Sequence, residues 1–253
     1  MKRQGFYCQL TALAMACAFT GSALAQEEQE VKPFSMDGEF GFIFTTGNTE
    51  TTSASAGINA HQELDMWSND YIIEGLYRSE TVEVDGEEVE RTSAQKFYTS
   101  AQGNYKLDNP DYRLFGFASY EDDRLSNFDY QASVAAGFNH KVLNNATHTL
   151  EYSVGPGYAF RQTQEGETLN GVMVRASAAY AWKISETARF TQTVSTELNS
   201  DNTKSRAESA LTATISGALS MKLSIKLDHN TNVNPGIEKL DTETAVTLVY
   251  NFF

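Results

Sequence analysis

The last twelve residues, 242–253, alternate between two kinds of side chain and end on two phenylalanines. Val246, Leu248, Tyr250 and Phe252 are apolar, and the residues between them are mostly small or polar. A period of two is typical of a β-strand with one face on lipid and the other on a polar lumen. We therefore interpret this segment as the closing strand of a membrane β-barrel. A strand of a soluble sandwich shows the same alternation, so the rest of the chain must decide.

Period-two patterning recurs from residue 36 to the end of the chain. One segment keeps strict alternation from Val172 to Trp182, and the segments are about 10 to 14 residues long. Such lengths suit tilted strands that cross a membrane, whereas strands of soluble proteins are shorter. Twelve strands are predicted at approximately 36–46, 50–63, 69–80, 93–106, 112–121, 130–141, 147–160, 170–182, 188–199, 206–218, 222–230 and 242–253.

The connections between these segments alternate in length. Those after even-numbered strands are short, and several after odd-numbered strands are longer and charged, including 80–92 and 121–129. Aromatic residues concentrate near both ends of the strands. Short turns at one end, long loops at the other and two aromatic girdles are typical of outer-membrane barrels. The predicted fold is an all-β, antiparallel, up-and-down transmembrane barrel of about twelve strands.

The N-terminus has the organisation of a secretory signal. Lys2 and Arg3 precede an apolar stretch, and Ala23-Leu24-Ala25 forms a cleavage site of the A-x-A type. We expect a signal peptide at 1–25, an acidic periplasmic lead at 26–35 and the barrel at 36–253. Cleavage would leave 228 of the 253 residues and remove both cysteines, Cys8 and Cys17.

Charge and hydropathy exclude two classes of protein. Loss of Lys2 and Arg3 with the signal takes the formal charge from −14 to −16, which disfavours a nucleic-acid partner because phosphate binding needs clustered Lys and Arg. No apolar run past the signal is long enough for a membrane-spanning helix. The predicted location is the outer membrane of a Gram-negative bacterium. Expected partners are outer-membrane lipid, lipopolysaccharide and the barrel-assembly machinery.

Several motifs together resemble a known family. They are the GEFGFIFTTGNTE run at 38–50, EDDR at 121–124, YQAS at 130–133, GPGY at 155–158, and DTE at 241–243 followed by LVYNF at 248–252. In this order they resemble the DUF481 family of salt-induced outer-membrane proteins. The family usually ends on Tyr-x-Phe, here Tyr250-Asn251-Phe252, and Phe253 is an additional residue. The resemblance implies the fold and the location, and it implies no settled activity.

Two groups of charged residues are candidates for function. The polar parity of the strands predicts a lumen that contains Lys96, Arg175, Glu197, Glu208 and Lys226, which would line either a water-filled passage or a filled interior. Two predicted loops are acidic and would attract cations, although their spacing does not match a calcium loop. Their carboxylates are those of Glu83, Asp85, Glu87, Glu88, Asp122 and Asp123. No metal-ligand spacing and no cofactor motif is recognised.

The leading hypothesis is a non-enzymatic envelope protein with a narrow, cation-preferring pore for ions or small solutes. The first alternative is a plugged structural or adhesive barrel. The second alternative is an outer-membrane lipid esterase that resembles lipid A deacylases, with His229, Thr231 and Glu243 as its catalytic residues. Strict alternation puts His229 and Thr231 on the outer face and Glu243 on the inner face, and a Thr nucleophile is sterically worse than Ser.

Overall fold

A computed structural model describes residues 33–45, 50–84, 87–124, 126–233 and 238–253, with side chains described outside 43–51 and 82–88. The described residues form twelve strands, as the periodicity predicted. Among them, no helix is long and apolar enough to span a membrane. The strands are Phe34–Thr45 (β1), Glu50–Glu63 (β2), Trp67–Val84 (β3), Glu87–Lys106 (β4), Tyr112–Asp123 (β5), Phe128–Asn144 (β6), His148–Thr163 (β7), Gly171–Lys183 (β8), Ala188–Asn199 (β9), Lys204–Ser216 (β10), Leu219–Asn230 (β11) and Leu240–Asn251 (β12).

Each strand pairs antiparallel with its neighbours in sequence, and β1 pairs with β12 to close the barrel. The closing ladder runs from Asp37 opposite Asn251 to Phe40 opposite Leu248. The Asn251 side chain donates a hydrogen bond to the Asp37 carboxylate at 2.8 Å. Closure satisfies the backbone N–H and C=O groups that the edges of an open sheet would expose to lipid.

The outer wall is apolar, as the alternation predicted. In β11 the exposed residues are Met221, Leu223, Ile225 and Leu227. Val246, Leu248 and Tyr250 of β12 are also exposed. Aromatic pairs lie near both ends of the wall, for example Trp67 with Tyr105 and Tyr120 with Tyr130. Apolar side chains that face outward from a closed barrel are suited to lipid and not to water.

Two sequence predictions about loops are wrong. Residues 80–92 are mainly strand, because β3 continues to Val84 and β4 begins at Glu87, with Glu83 opposite Glu88. The β-branched residues of this hairpin favour pairing over a loop. Residues 121–123 likewise belong to β5. Strands of 18 and 20 residues exceed the ~9–11 that a membrane crossing needs, so the β3–β4 hairpin extends past the bilayer.

Strand β5 carries apolar residues on both faces, which made its parity ambiguous in the sequence. Leu114 faces outward, whereas Phe115 and Phe117 face the interior, where they form a small buried cluster with Ala135, Ala159 and Met173. The interior of the barrel therefore contains a small apolar cluster on the side of β5 to β8, among polar and charged side chains of the same strands.

Strands β6 and β7 approach most closely at a pair of glycines. A Cβ atom on Gly155 would lie 2.1 Å from the carbonyl oxygen of Ala136 and 2.7 Å from the Cα atom of Gly137. Both obstacles are backbone atoms, which cannot move aside as a flexible side chain can. Only glycine fits at this close contact between the two paired strands without displacing one of them.

We expect Gly155→Val to destabilise the barrel by about 1–3 kcal/mol, because the added atoms overpack the β6–β7 contact. The measurement is the urea midpoint of the refolded protein. Gly116→Val is the matched control, since nothing lies within 4 Å of a Cβ atom at Gly116. Equal midpoints for the two variants would contradict the steric argument.

Candidate functional site: the charged lumen

Five charged side chains form a cross-lumen cluster, which consists of Lys96, Glu121, Lys204, Arg206 and Asp228. Lys96 and Glu121 lie on the neighbouring strands β4 and β5, and the other three lie on β10 and β11. At least four strands separate these two pairs of strands in either direction around the barrel. The contacts between the two groups must therefore pass through the lumen and not along the wall.

Both carboxylates of the cluster have several basic partners. The ammonium group of Lys204 donates to Glu121 at 2.8 Å, and the guanidinium group of Arg206 also donates to Glu121. Asp228 accepts from Lys96 at 2.7 Å and from Arg206 Nε at 2.6 Å. The Arg206 guanidinium also lies over the ring of Tyr98, 4.2 Å from its centroid. Three basic and two acidic side chains thus meet across the lumen at this level.

Further ion pairs connect other parts of the interior. Lys226 on β11 lies 2.8 Å from Glu74 on β3, across the closing seam. Lys222 lies 3.0 Å from Glu39 and 2.9 Å from Glu208. Lys226 and Lys222 thus connect β11 to β3 and β1, on the inner side of the closing seam between β12 and β1.

Two chambers lie on either side of the cross-lumen cluster. The upper chamber, on the side of the longer loops, has a volume of about 200 Å³ and includes Lys96, Asp228 and Asp241 in its lining. The lower chamber, on the side of the short turns, has a volume of about 410 Å³ and includes Arg206, Tyr98 and Asn139. Arg206 is thus part of the lower chamber, and Lys96 is part of the upper one. The cluster therefore lies between the two chambers, both of which also include Lys226 in their linings.

Both chambers are lined by more Asp and Glu than Lys and Arg side chains, five against three in each, and His61 also lines the lower chamber. In the upper chamber they are Asp123, Asp228, Glu238, Asp241 and Glu243 against Arg78, Lys96 and Lys226. In the lower chamber they are Asp37, Asp70, Glu74, Glu151 and Glu208 against Arg175, Arg206 and Lys226.

The structure places the predicted lumen residues as follows. Lys96, Arg175, Glu208 and Lys226 line the chambers. Glu197 is half-buried, and its carboxylate lies 2.9 Å from the Ser133 hydroxyl and 3.7 Å from the Arg161 guanidinium. Only Lys96 belongs to the cross-lumen cluster.

Sequence reasoning missed several residues of the site. Glu121 was placed at the boundary between the predicted strand 112–121 and an acidic loop and was not recognised as a lumen residue, and Lys204 lay just outside the predicted bounds of its strand. The sequence does contain a signal for β10, because Lys204, Arg206 and Glu208 alternate with uncharged residues and thus share one face. The carboxylate of Glu121 lies on the inward face of β5, in step with Phe115 and Phe117.

The predicted acidic loop residues have different positions. Asp122 and Asp123 lie on β5, where Asp123 lines the upper chamber and Asp122 lines a groove of the outer wall beside Phe97. Asp85 lies outside the described residues, as do the side chains of Glu83, Glu87 and Glu88. No group of three or more His, Cys, Asp or Glu is placed to hold a metal ion in the part of the chain that the structure describes.

The proposed esterase residues lie on the last hairpin. His229 is opposite Leu240 in the β11–β12 ladder, whereas Glu243 is opposite Lys226. The Thr231 hydroxyl accepts a hydrogen bond from the backbone N–H of Thr203 and donates to the Asn202 side chain. The ladder thus separates Glu243 from His229 by three positions along the strand, and Thr231 bonds to the preceding loop. The esterase alternative stays a prediction.

A closed antiparallel barrel with an apolar exterior and a polar interior defines the class of the protein, which is that of the outer-membrane β-barrels. Solved structures of this class are similar in fold. An outer-membrane channel from Pseudomonas putida F1 is 10% identical and covers 91% of this chain and 100% of its own, with a TM-score of 0.49. The translocator domain of the autotransporter NalP from Neisseria meningitidis is 10% identical and covers 88% and 90%, with a TM-score of 0.46.

Sequence comparison identifies the family. The model of the family described as "Protein of unknown function, DUF481" matches residues 38–252. The uncharacterized protein YdiY of Escherichia coli (strain K12) is 25% identical over 248 residues, which are 98% of this chain and 94% of that protein. The chain belongs to the DUF481 family, as the motifs indicated.

We expect Glu121→Gln to destabilise the barrel by about 3–5 kcal/mol, because it leaves the basic groups of the cross-lumen cluster without their central carboxylate. The measurement is urea unfolding followed by tryptophan fluorescence. Glu186→Gln is the control. The side chain of Glu186 is 89% exposed, and it pairs with Lys183, three residues earlier, at the turn between β8 and β9. Exposed pairs of this kind contribute about 0–1 kcal/mol. Similar losses in both variants would show that Glu121 does not hold the cluster together.

Proposed function

We propose that this chain forms a narrow, non-enzymatic passage across the outer membrane for ions and small polar solutes. The observation that carries the proposal is the pair of chambers, of about 200 and 410 Å³, that lie within one closed barrel and have charged side chains in their linings. Their lining groups are those that solvate ions and polar solutes. The cross-lumen cluster is the constriction between the chambers and sets the size limit.

The proposed passage prefers cations. Each chamber has a net acidic lining, and acidic walls raise the local concentration of cations at the approach to a constriction. The cluster itself has one more basic than acidic side chain, which opposes this preference over a short distance. Because a solute must enter a chamber before it reaches the cluster, we expect the chambers to determine the sign of the preference.

A second candidate, a structural barrel with a closed lumen, is favoured by the same cluster. Two of its ion pairs, Lys96 with Asp228 at 2.7 Å and Lys204 with Glu121 at 2.8 Å, connect strands on opposite sides of the barrel at the distances of direct hydrogen bonds. If these pairs persist on the timescale of ion passage, the barrel does not conduct. Conductance therefore distinguishes the two candidates directly.

For refolded protein of residues 26–253 in a planar bilayer, we expect discrete conductance steps. Under a salt gradient, we expect a reversal potential whose sign shows that cations permeate more readily than anions. Neutralising three upper-chamber carboxylates, with Glu238→Gln, Asp241→Asn and Glu243→Gln together, should lower the cation-to-anion permeability ratio about two- to fivefold. The reason is that the remaining upper-chamber lining has more basic than acidic groups.

The matched control neutralises Glu90, Asp129 and Asp201, which are exposed and line neither chamber. It changes the net charge equally and should leave the ratio within experimental error. An equal effect of both triple variants would contradict selection by the chamber. Silence from folded barrels would support the closed alternative. Lipid-cleaving activity that His229→Ala abolishes would support the esterase.

A further inference from the structure

Arg175 differs in its contacts from Arg113 and Arg161, which are also buried. Arg113 donates hydrogen bonds to Ser68 and to the Pro110 carbonyl oxygen, and Arg161 lies 3.7 Å from Glu197. Arg175 is 7% exposed and lines the lower chamber. Its guanidinium carbon lies 3.7 Å from the centroid of the Phe117 ring. Within the described residues, no carboxylate lies within ion-pair distance of Arg175, and its Nε–H has no hydrogen-bond partner.

The acidic residue that should pair with Arg175 has other partners. Glu197 is directly opposite Arg175 in the β8–β9 ladder. Its carboxylate instead accepts a hydrogen bond from Ser133 and lies 3.7 Å from Arg161. Of the two buried arginines near Glu197, only Arg161 lies within ion-pair distance of its carboxylate.

A buried charge without a counter-ion is costly, and a stacked guanidinium loses further freedom. The contact with Phe117 fixes the plane of the guanidinium and contributes a cation–π attraction, which does not replace an ion pair. Since no carboxylate of the described residues lies within ion-pair distance of Arg175, a direct partner can come from a solute in the lower chamber. A guanidinium fork is matched in geometry to a carboxylate.

The other groups that line the chamber indicate what kind of molecule would carry a carboxylate to Arg175. Its volume of about 410 Å³ is in the range of small-molecule sites. Hydroxyl and amide groups from Ser100, Gln102, Ser153 and Ser177 line it, and the buried Asn139 has a side-chain oxygen with no hydrogen-bond partner. Such groups bind hydroxyl groups. Because the chamber is acidic on balance, a simple anion is disfavoured, and retention needs these additional contacts.

We propose that Arg175 and the lower chamber form a binding site for a small hydroxylated organic carboxylate. The carboxylate pairs with the Arg175 guanidinium, and the hydroxyl groups bond to the serine and amide side chains. The site deepens the proposed function, on which it rests for access by the solute from the short-turn side. Binding and conduction are nevertheless separate measurements, so each proposal fails by itself.

The test is isothermal titration of refolded protein, residues 26–253 in detergent micelles, with sodium gluconate. D-glucose, which has the hydroxyl groups without the carboxylate, is the matched probe. We expect saturable binding of gluconate and none of glucose. Arg175→Met should weaken gluconate binding about 10- to 100-fold, the usual loss for a hydrogen bond to a charged group. Arg189→Met, at the short-turn mouth and outside the chamber, should bind within about twofold of the parent.

Two further measurements separate binding from a structural role. Arg175→Met should unfold at the same or a higher urea concentration than the parent, because it removes an unpaired buried charge. If that variant does not fold, Arg175→Lys keeps the charge, loses the fork and should still weaken binding. Unchanged gluconate affinity in the folded Arg175 variants, equal binding of glucose, or no binding by folded protein would overturn the site. Binding by a barrel that does not conduct would leave the site standing and remove the passage.

Discussion

The absence of water from the hydrocarbon layer is the constraint on which the rest of this structure depends. Every backbone N–H and C=O group must find a partner within the sheet, so the sheet must close. Closure puts β1 beside β12 although they lie at opposite ends of the chain. It also inverts the usual distribution of side chains, because the apolar faces of the strands belong outside. The interior must then be built from the polar faces.

A twelve-stranded barrel lies between barrels that side chains fill and barrels that hold an open channel. This chain fills part of its interior in two different ways. Phe115, Phe117 and Met173 pack against small residues on one side, and charged side chains meet across the lumen elsewhere. Long Lys and Arg side chains can span the remaining width, and a carboxylate partner offsets the cost of their desolvation.

The features that the sequence predicted are those that depend on residues close together in the chain. Alternation in β8 and β12 identifies strands and their outer faces, because the period of a strand is a property of a few consecutive residues. The hairpin at 80–92 was missed because its acidic composition suggested a loop, whereas its valines pair. The cross-lumen cluster could not be predicted, since Arg206 and Glu121 are 85 positions apart in sequence. Parity shows that a side chain faces inward and does not show which inward side chain it meets.

The same long-range pairing gives the charges of the lumen two different roles. Arg206 has Glu121, Asp228 and the Tyr98 ring as partners, so its charge is compensated by the fold. Arg175 contacts the Phe117 ring and, among the described residues, no carboxylate at ion-pair distance, because the Glu197 carboxylate contacts Arg161 and Ser133 instead. A charge that the fold compensates contributes to the wall of the constriction. A charge that the fold leaves uncompensated is free to interact with whatever enters the chamber, and its position on a rigid strand makes that interaction specific.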